Sequence, residues 1–295
     1  MSFQNLKKNS GNLDKLAKAL EKISNNESSN KEDNFWKPAT DKVGNGYAVI
    51  RFLPAPEKDG EDALPWAKLF SHGFQGPGGW LIDNCLTTKD ENCPICEHNS
   101  TLWNTGSDAN KEIVRKQKRK LSYIANVYIV EDSKHPENVG KVFLFKFGKK
   151  IFDKISFAMN PEFEDEKPIN PFDLWKGANF KLKIRKVEGY SNYDKSEFDT
   201  PGPLLDDDDA MEKVWKSEYS LKELIKPEEF KTYDQLKARL NKVLGLDGAP
   251  APTTMEKAKA EPRKPKKESE DSPFVSDTKA DSDDEMEWFK SLAEE

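Results

Sequence analysis

FKLKIRKV, residues 180–187, decides how this chain is read. Phe180, Leu182 and Ile184 alternate with Lys181, Lys183 and Arg185, the two-residue period of a half-buried strand. One face suits a hydrocarbon core; the other suits anionic solvent or phosphate. GNGYAVIRFLP (44–54), which carries Arg51, reads as a turn into a strand. LSYIANVYIV (121–130) and KVFLFKF (141–147) are strand-like, rich in β-branched and aromatic residues. Phe143, Phe145 and Phe147 share one face, and two of the three are expected in the core. Helices are expected at 149–159, near 210–225 and at 233–244. Thr232 and Gln235 form a capping box for the last, and Gly245 stops it. The fold class is α+β, mainly β.

Working outward, the chain divides into three parts. Residues 1–30 read as a basic, amphipathic arm. Lys7, Lys8 and Ser10 precede Leu13, Leu16, Ala17, Leu20 and Ile23 on one helical face, and so short a helix needs a surface to dock on. Residues 31–245 hold the folded body. Residues 246–295 read as an unfolded Pro/Ala/Lys-rich linker followed by an acidic tail. That tail carries an apolar knot of Met286, Trp288, Phe289 and Leu292, which reads as a partner-binding motif.

The net charge of −6 hides an asymmetry. Residues 268–295 carry eleven acids and two bases, net −9, which leaves +3 on residues 1–267. A mildly basic body with an acidic tail is associated with nucleic-acid or membrane-surface partners. No apolar run is long enough for a membrane helix, and the start lacks a secretory core segment, so an intracellular protein is expected.

All three cysteines lie within a dozen residues of one another, in HGFQGPGGWLIDNCLTTKDENCPIC (72–96). His72, Cys85, Cys93 and Cys96 are a Cys3His set suited to one structural zinc ion, with a C-x2-C pair biting from a tight turn. Gly73, Gly76, Gly78 and Gly79 would let the chain curl between the first two ligands. His98 is a competing but less well placed ligand. Four protein ligands leave no open position for catalysis. The deaminase pattern of H-x-E with P-C-x-x-C is missing, and so is a phosphate-binding G-x-x-x-x-G-K-[ST] loop. No catalytic residue is assigned, and a non-enzyme is expected.

Bases and rings interleave elsewhere. Residues 111–120 carry Lys111, Arg115, Lys116, Lys118, Arg119 and Lys120 against one acid, Glu112. The run leads into a strand bearing Tyr123 and Tyr128. Phe145 and Lys146 share the next aromatic strand. Tyr190 and Tyr193 follow the basic strand of Lys183 and Arg185, and Trp103 follows the metal stretch. Bases stack on rings while Lys and Arg follow the phosphates, which suits a single strand. With Arg51, these residues are the candidate nucleic-acid contacts. The rival reading is an acidic-tailed, zinc-containing interaction scaffold or chaperone for basic proteins. Buried rings would favour the scaffold, and solvent-lined rings beside lysines would favour nucleic acid.

GNGYAVIRFLP, the HGF…C…CPIC stretch, PENVGKVFLFKFGKKIFDKI and GYSNYD together resemble the single-stranded DNA-binding, helix-destabilising proteins of T-even-type phages. The likeness is close over roughly 34–200 and extends beyond by layout. It implies an OB-fold body with an inserted zinc-binding subdomain, and a cleft that takes a single strand. It implies cooperative coating of single-stranded DNA in viral replication, recombination and repair, in the cytoplasm of an infected bacterial host. The arm, through Lys7, Lys8 and Ser10, would contact other copies of the protein. The tail would recruit replication and recombination proteins. Tyr123, Phe145, Tyr190 and Tyr193 match the family's cleft aromatics. Lys118, Arg119, Lys120 and Ser122 match its basic-run-plus-hydroxyl motif, here interrupted by Leu121.

Overall fold

The structure, a computed structural model, describes residues 34–163 and 165–246. The expected arm at 1–30, with Lys7, Lys8 and Ser10, lies outside the described residues. So does the tail from 247 on, with Met286, Trp288, Phe289 and Leu292.

In chain order the strands are β1 (Phe35–Trp36), β2 (Gly46–Phe52), β3 (Ala67–Gly76), β4 (Gly79–Asn84), β5 (Lys120–Asp132), β6 (Val142–Phe147), β7 (Phe180–Val187), β8 (Tyr190–Asn192) and β9 (Glu197–Phe198). The helices are α1 (Pro94–Asn104), α2 (Asp108–Gln117), α3 (Lys149–Met159), α4 (Asp208–Lys216) and α5 (Tyr233–Leu244). The architecture is α+β dominated by sheet. The described chain forms two compact units.

The first unit holds residues 34–53, Asn126–Lys146 and Ile169–Tyr219. Its strands run in the order β1-β6-β5-β2-β7-β8, with β9 also on β7. β2 is central, antiparallel to both β5 and β7. Alternation sets its core: Ile50, Phe52, Val127, Ile129, Phe180 and Leu182 are all fully buried. Phe52 packs on Phe172, Phe180 and Phe198 with ring centroids 5.9, 5.7 and 6.4 Å away. A second cluster of Leu53, Leu174 and Met211 takes Val214 and Trp215 from α4. Asp207 caps that helix by accepting from the Ala210 N–H.

The second unit holds Pro54–Ala125, Phe147–Pro168 and residues 220–246. β3 pairs antiparallel with β4 and with the first residues of β5. Leu81, Ile95, Val114, Leu236, Leu240 and Val243 are buried. α5 has the expected capping box and a left-handed Gly245 at its end. Asp83 ties α5 to the hairpin, accepting from Lys231 at 2.5 Å and Arg239 at 2.7 Å.

The glycine-rich stretch lets the chain turn back between His72 and Cys85, and it does so as a hairpin. It is the tip of the β3–β4 hairpin. Gly78 N–H donates to the Val243 carbonyl at 2.8 Å. A Cβ on Gly78 would lie 2.1 Å from the Lys242 oxygen, and one on Gly76 would lie 2.4 Å from the Val243 oxygen. Gly76 and Gly78 let α5 approach the turn, and Gly79 adopts the positive φ of 113° that the turn needs.

Candidate metal centre and nucleic-acid interface

Three separate local structures bring together the four candidate metal ligands. His72 sits on β3 and is buried. Cys85 precedes a 3-10 turn, Leu86–Lys89. Cys93 is the N-cap of α1, Pro94 opens that helix, and Cys96 lies in its first turn. Proline at the first helical position removes a donor that would lack a partner anyway. The helix N-terminus also favours thiolate over thiol.

The ligand atoms of the four residues all lie within 4.8 Å of one another, so the cluster could hold a metal ion. Cys93 Sγ and Cys96 Sγ are each 3.6 Å from His72 Nε2, and Cys85 Sγ is 3.6 Å from Cys96 Sγ. Bonds of about 2.3 Å to sulfur and 2.0 Å to nitrogen in a tetrahedron give edges of about 3.8 Å (S···S) and 3.5 Å (S···N). The observed spacings fit. His72 Nδ1 lies 3.2 Å from the Gln117 carbonyl. A carbonyl only accepts, so Nδ1 carries a proton, which leaves Nε2 as the nitrogen that would bind an ion, the usual arrangement of a metal-bound histidine. His98 is not part of the cluster.

The same crowding shifts the protons. Burial pushes the His72 imidazole down, but hydrogen bonds to Cys85 and Cys93 outweigh it and raise it to about 9. Hydrogen bonding with Cys85 and Cys96 holds the Cys93 thiol far below its usual range, while Cys85 and Cys93 push Cys96 up. A divalent ion would satisfy all three sulfurs at once and displace those protons.

The first unit contains a groove of about 690 Å³ lined by Trp36, Lys37, Phe145, Lys146, Ile184 and Tyr193, among others. Trp36 is buried behind it, its Nε1 donating to Asp132 at 2.9 Å, and its ring meets Phe145 edge-to-face at 5.3 Å. Lys37 and Lys146 are exposed. Tyr193 comes from the segment after the β7–β8 hairpin, and burial pushes its hydroxyl pKa up. The hairpin turns tightly because Glu188 and Gly189 both adopt positive φ, 52° and 85°. Tyr190, on β8, is 49% exposed.

Several expected contacts are corrected by the structure. Arg51 is 1% exposed, and its Nη2 donates to the Gly202 carbonyl at 2.6 Å. Burial lowers its pKa, countered by Asp173. Arg51 therefore belongs to the core, because its place on the central strand β2 leaves no route to solvent. Tyr123 is also buried, its ring stacked on Phe152 at 3.8 Å and 3°. Phe145 shows 3% of its surface and serves as groove wall, not as a free platform. Trp103 is half-buried on α1.

The bases sort by partner. Lys181 pairs with Asp199 at 2.8 Å and Lys183 with Glu197 at 2.7 Å. Arg185 forks onto Asp194, with Nε at 2.9 Å, and holds that carboxyl down at about 2. In the basic run, Lys111 pairs with Asp108 and Arg115 with Glu112. Arg119 turns inward to Thr87 and the Phe70 ring. Lys116, Lys118 and Lys120 have no acidic partner among the described residues, and Lys116 and Lys120 are exposed. Sequence reasoning missed Trp36 and Lys37, although the run FWK at 35–37 carries the same aromatic-then-basic signal.

These features define a sheet-built binding protein with a metal-capable knuckle and a groove walled by rings and rimmed by lysines. The chain belongs to the family described as gp32 DNA binding protein like, whose model matches residues 44–244. The family is not enzymatic. Among its relatives is the single-stranded DNA-binding protein of Enterobacteria phage T4, 40% identical over 253 residues that cover 82% of each chain. The protein of the same name from Enterobacteria phage T2 is 39% identical over 254 residues, with the same coverage. That of Enterobacteria phage RB70 is 42% identical over 114 residues, 37% of this chain and 92% of the relative.

Proposed function

We propose that this chain binds and coats single-stranded DNA during viral replication, recombination and repair in the cytoplasm of the infected bacterial host. The groove carries the reading: Tyr193 and the Trp36–Phe145 wall meet the exposed Lys37 and Lys146 within one unit. Tyr193 offers base stacking at about 1–3 kcal/mol against that wall, and the lysines offer phosphate neutralisation. Tyr190, also exposed, adds a second ring on the adjoining hairpin. Lys116, Lys118 and Lys120 supply further cations. Lys183 and Arg185 are proposed as secondary contacts, since a phosphate must first displace Glu197 or Asp194. Tyr190 and Tyr193, which reach solvent beside lysines, favour DNA over the scaffold reading, while Tyr123 and Phe145 are buried.

One zinc ion is proposed at His72, Cys85, Cys93 and Cys96. When bound it supplies a rigid crosslink among β3, the 3-10 turn and α1, with no chemical step. The parts proposed beyond the described residues keep the boundaries read from the sequence. These are a self-association arm at 1–30 acting through Lys7, Lys8 and Ser10, and a tail at 246–295. There Met286, Trp288, Phe289 and Leu292 engage replication and recombination proteins.

The experiment is a titration of intrinsic Trp and Tyr fluorescence with oligo(dT) of graded length. Quenching should grow with length and then saturate once the groove is spanned. A signal that oligo(dT) of every length leaves unchanged would defeat the proposal.

A further inference from the structure

Arg119 differs from the other bases of its run. Its guanidinium carbon lies 4.3 Å from the centroid of the Phe70 ring, and its Nη1 donates to Thr87 Oγ1 at 2.6 Å. Thr87 Oγ1 is in turn 3.1 Å from Cys85 Sγ. Proton accounting orients this chain of contacts. A guanidinium only donates and a hydroxyl has one proton, so Thr87 accepts from Arg119 and keeps its own hydrogen for the Cys85 sulfur. Phe70 is fixed to the same turn. Its N–H donates to Thr88 Oγ1 at 2.9 Å, and its carbonyl accepts from the Cys85 N–H at 2.9 Å.

We infer that Arg119 is a positioning residue of the metal knuckle, holding the Cys85 thiolate through Thr87, and not a phosphate contact. The inference rests on the proposed zinc ion. Three thiolates and a histidine around a divalent ion leave the centre one unit negative. A cation relayed through a hydroxyl, braced on a ring, offsets that charge where solvent is scarce and draws electron density away from one sulfur. Arg119 also lies between Lys118 and Lys120, and Lys120 pairs in register with Ser71 while Leu121 pairs with Phe70. One side chain thus links ion retention to the strand end that presents two of the unpaired lysines.

The test uses the full-length, zinc-loaded chain in wild-type, R119M, T87V and K120M forms. Zinc transfer to a chromogenic chelator is timed, and affinity for poly-dT is measured across a salt series. R119M and T87V should lose zinc roughly 10–100-fold faster, the usual penalty for removing an outer-shell partner. R119M should keep the wild-type salt slope. K120M should do the reverse, keeping its zinc while the slope falls by about 0.7. The inference is overturned if R119M holds zinc as the wild type does, or if its slope falls by about 0.7. Wild-type chain that takes up no zinc would sink the metal reading and this inference together. Zinc retained equally by wild type, R119M and T87V would sink the inference alone.

Discussion

Replacing Lys116, Lys118 and Lys120 together by methionine tests whether the unpaired part of the basic run meets phosphate. Methionine keeps much of the stem and removes only the charge. Each lysine that neutralises a phosphate on a single strand contributes about 0.7 to the slope of log affinity against log salt. Three such contacts amount to about 2.1 units of slope. From 50 to 200 mM salt, a fourfold rise, each contact is worth about 2.6-fold in affinity and the three together about 18-fold. The triple variant should therefore lose about 18-fold less affinity than the wild type across that range. The assay is fluorescence titration on poly-dT at four or more salt concentrations. K111M/R115M is the internal comparison. Its cations already face Asp108 and Glu112, so its slope should move far less. A triple variant with the wild-type slope, or a double variant with the larger change, would refute the assignment by charge partner.

Four further outcomes are expected. Tyr193→Ala should weaken oligo(dT) binding by about 1–3 kcal/mol, roughly 5–150-fold, while leaving the salt slope unchanged. Tyr123→Ala should instead cost about 3–5 kcal/mol of stability in a denaturant melt, because its ring is a core stack, and Tyr123→Phe should bind DNA as the wild type does. The Asp194 carboxyl should titrate near 2 by NMR, well below its ordinary 3.8. A depressed carboxylate stabilises above the unfolded pKa and stops as pH falls through the folded one. The Arg185–Asp194 pair should thus persist at pH 3.5, and the D194N variant should show no such titration. Stripping metal should lower the melting temperature and open the 85–104 stretch to protease, since three of the four proposed ligands lie in it.

Much of the fold was legible because periodicity maps directly onto burial. Strand 180–187 falls where its alternation put it, and Phe180, Leu182 and Ile184 are buried as expected. Of the Phe143, Phe145 and Phe147 trio, the last two are buried, matching the expectation of two in the core. The helix at 233–244 was written in its cap residues. The helix expected near 210–225 is shorter, Asp208–Lys216, followed by a 3-10 turn at Lys222–Ile225. α1 and α2 went unread because metal ligands and lysines dominate them and mask a helical period. The clustering of His72, Cys85, Cys93 and Cys96 was readable because metal chemistry constrains residue type as well as spacing. The DNA contacts were less so. Alternation says which side chains share a face but not what covers it, so Arg51 and Tyr123 passed as surface residues. Nor does local sequence show that Arg185 meets Asp194, or that Arg119 turns back to Thr87 across 32 positions. Such pairings form only when strands and turns meet in three dimensions.

The central claim is that rings and lysines hold unpaired nucleotides. Competition between a fluorescent oligo(dT) and either unlabelled oligo(dT) or a duplex of equal length, at one fixed salt concentration, tests it most directly. The account expects the single strand to compete at concentrations at least tenfold lower than the duplex, with Tyr193→Ala narrowing that gap. A duplex that competes as well as the single strand, with the gap unaffected by Tyr193→Ala, would contradict it.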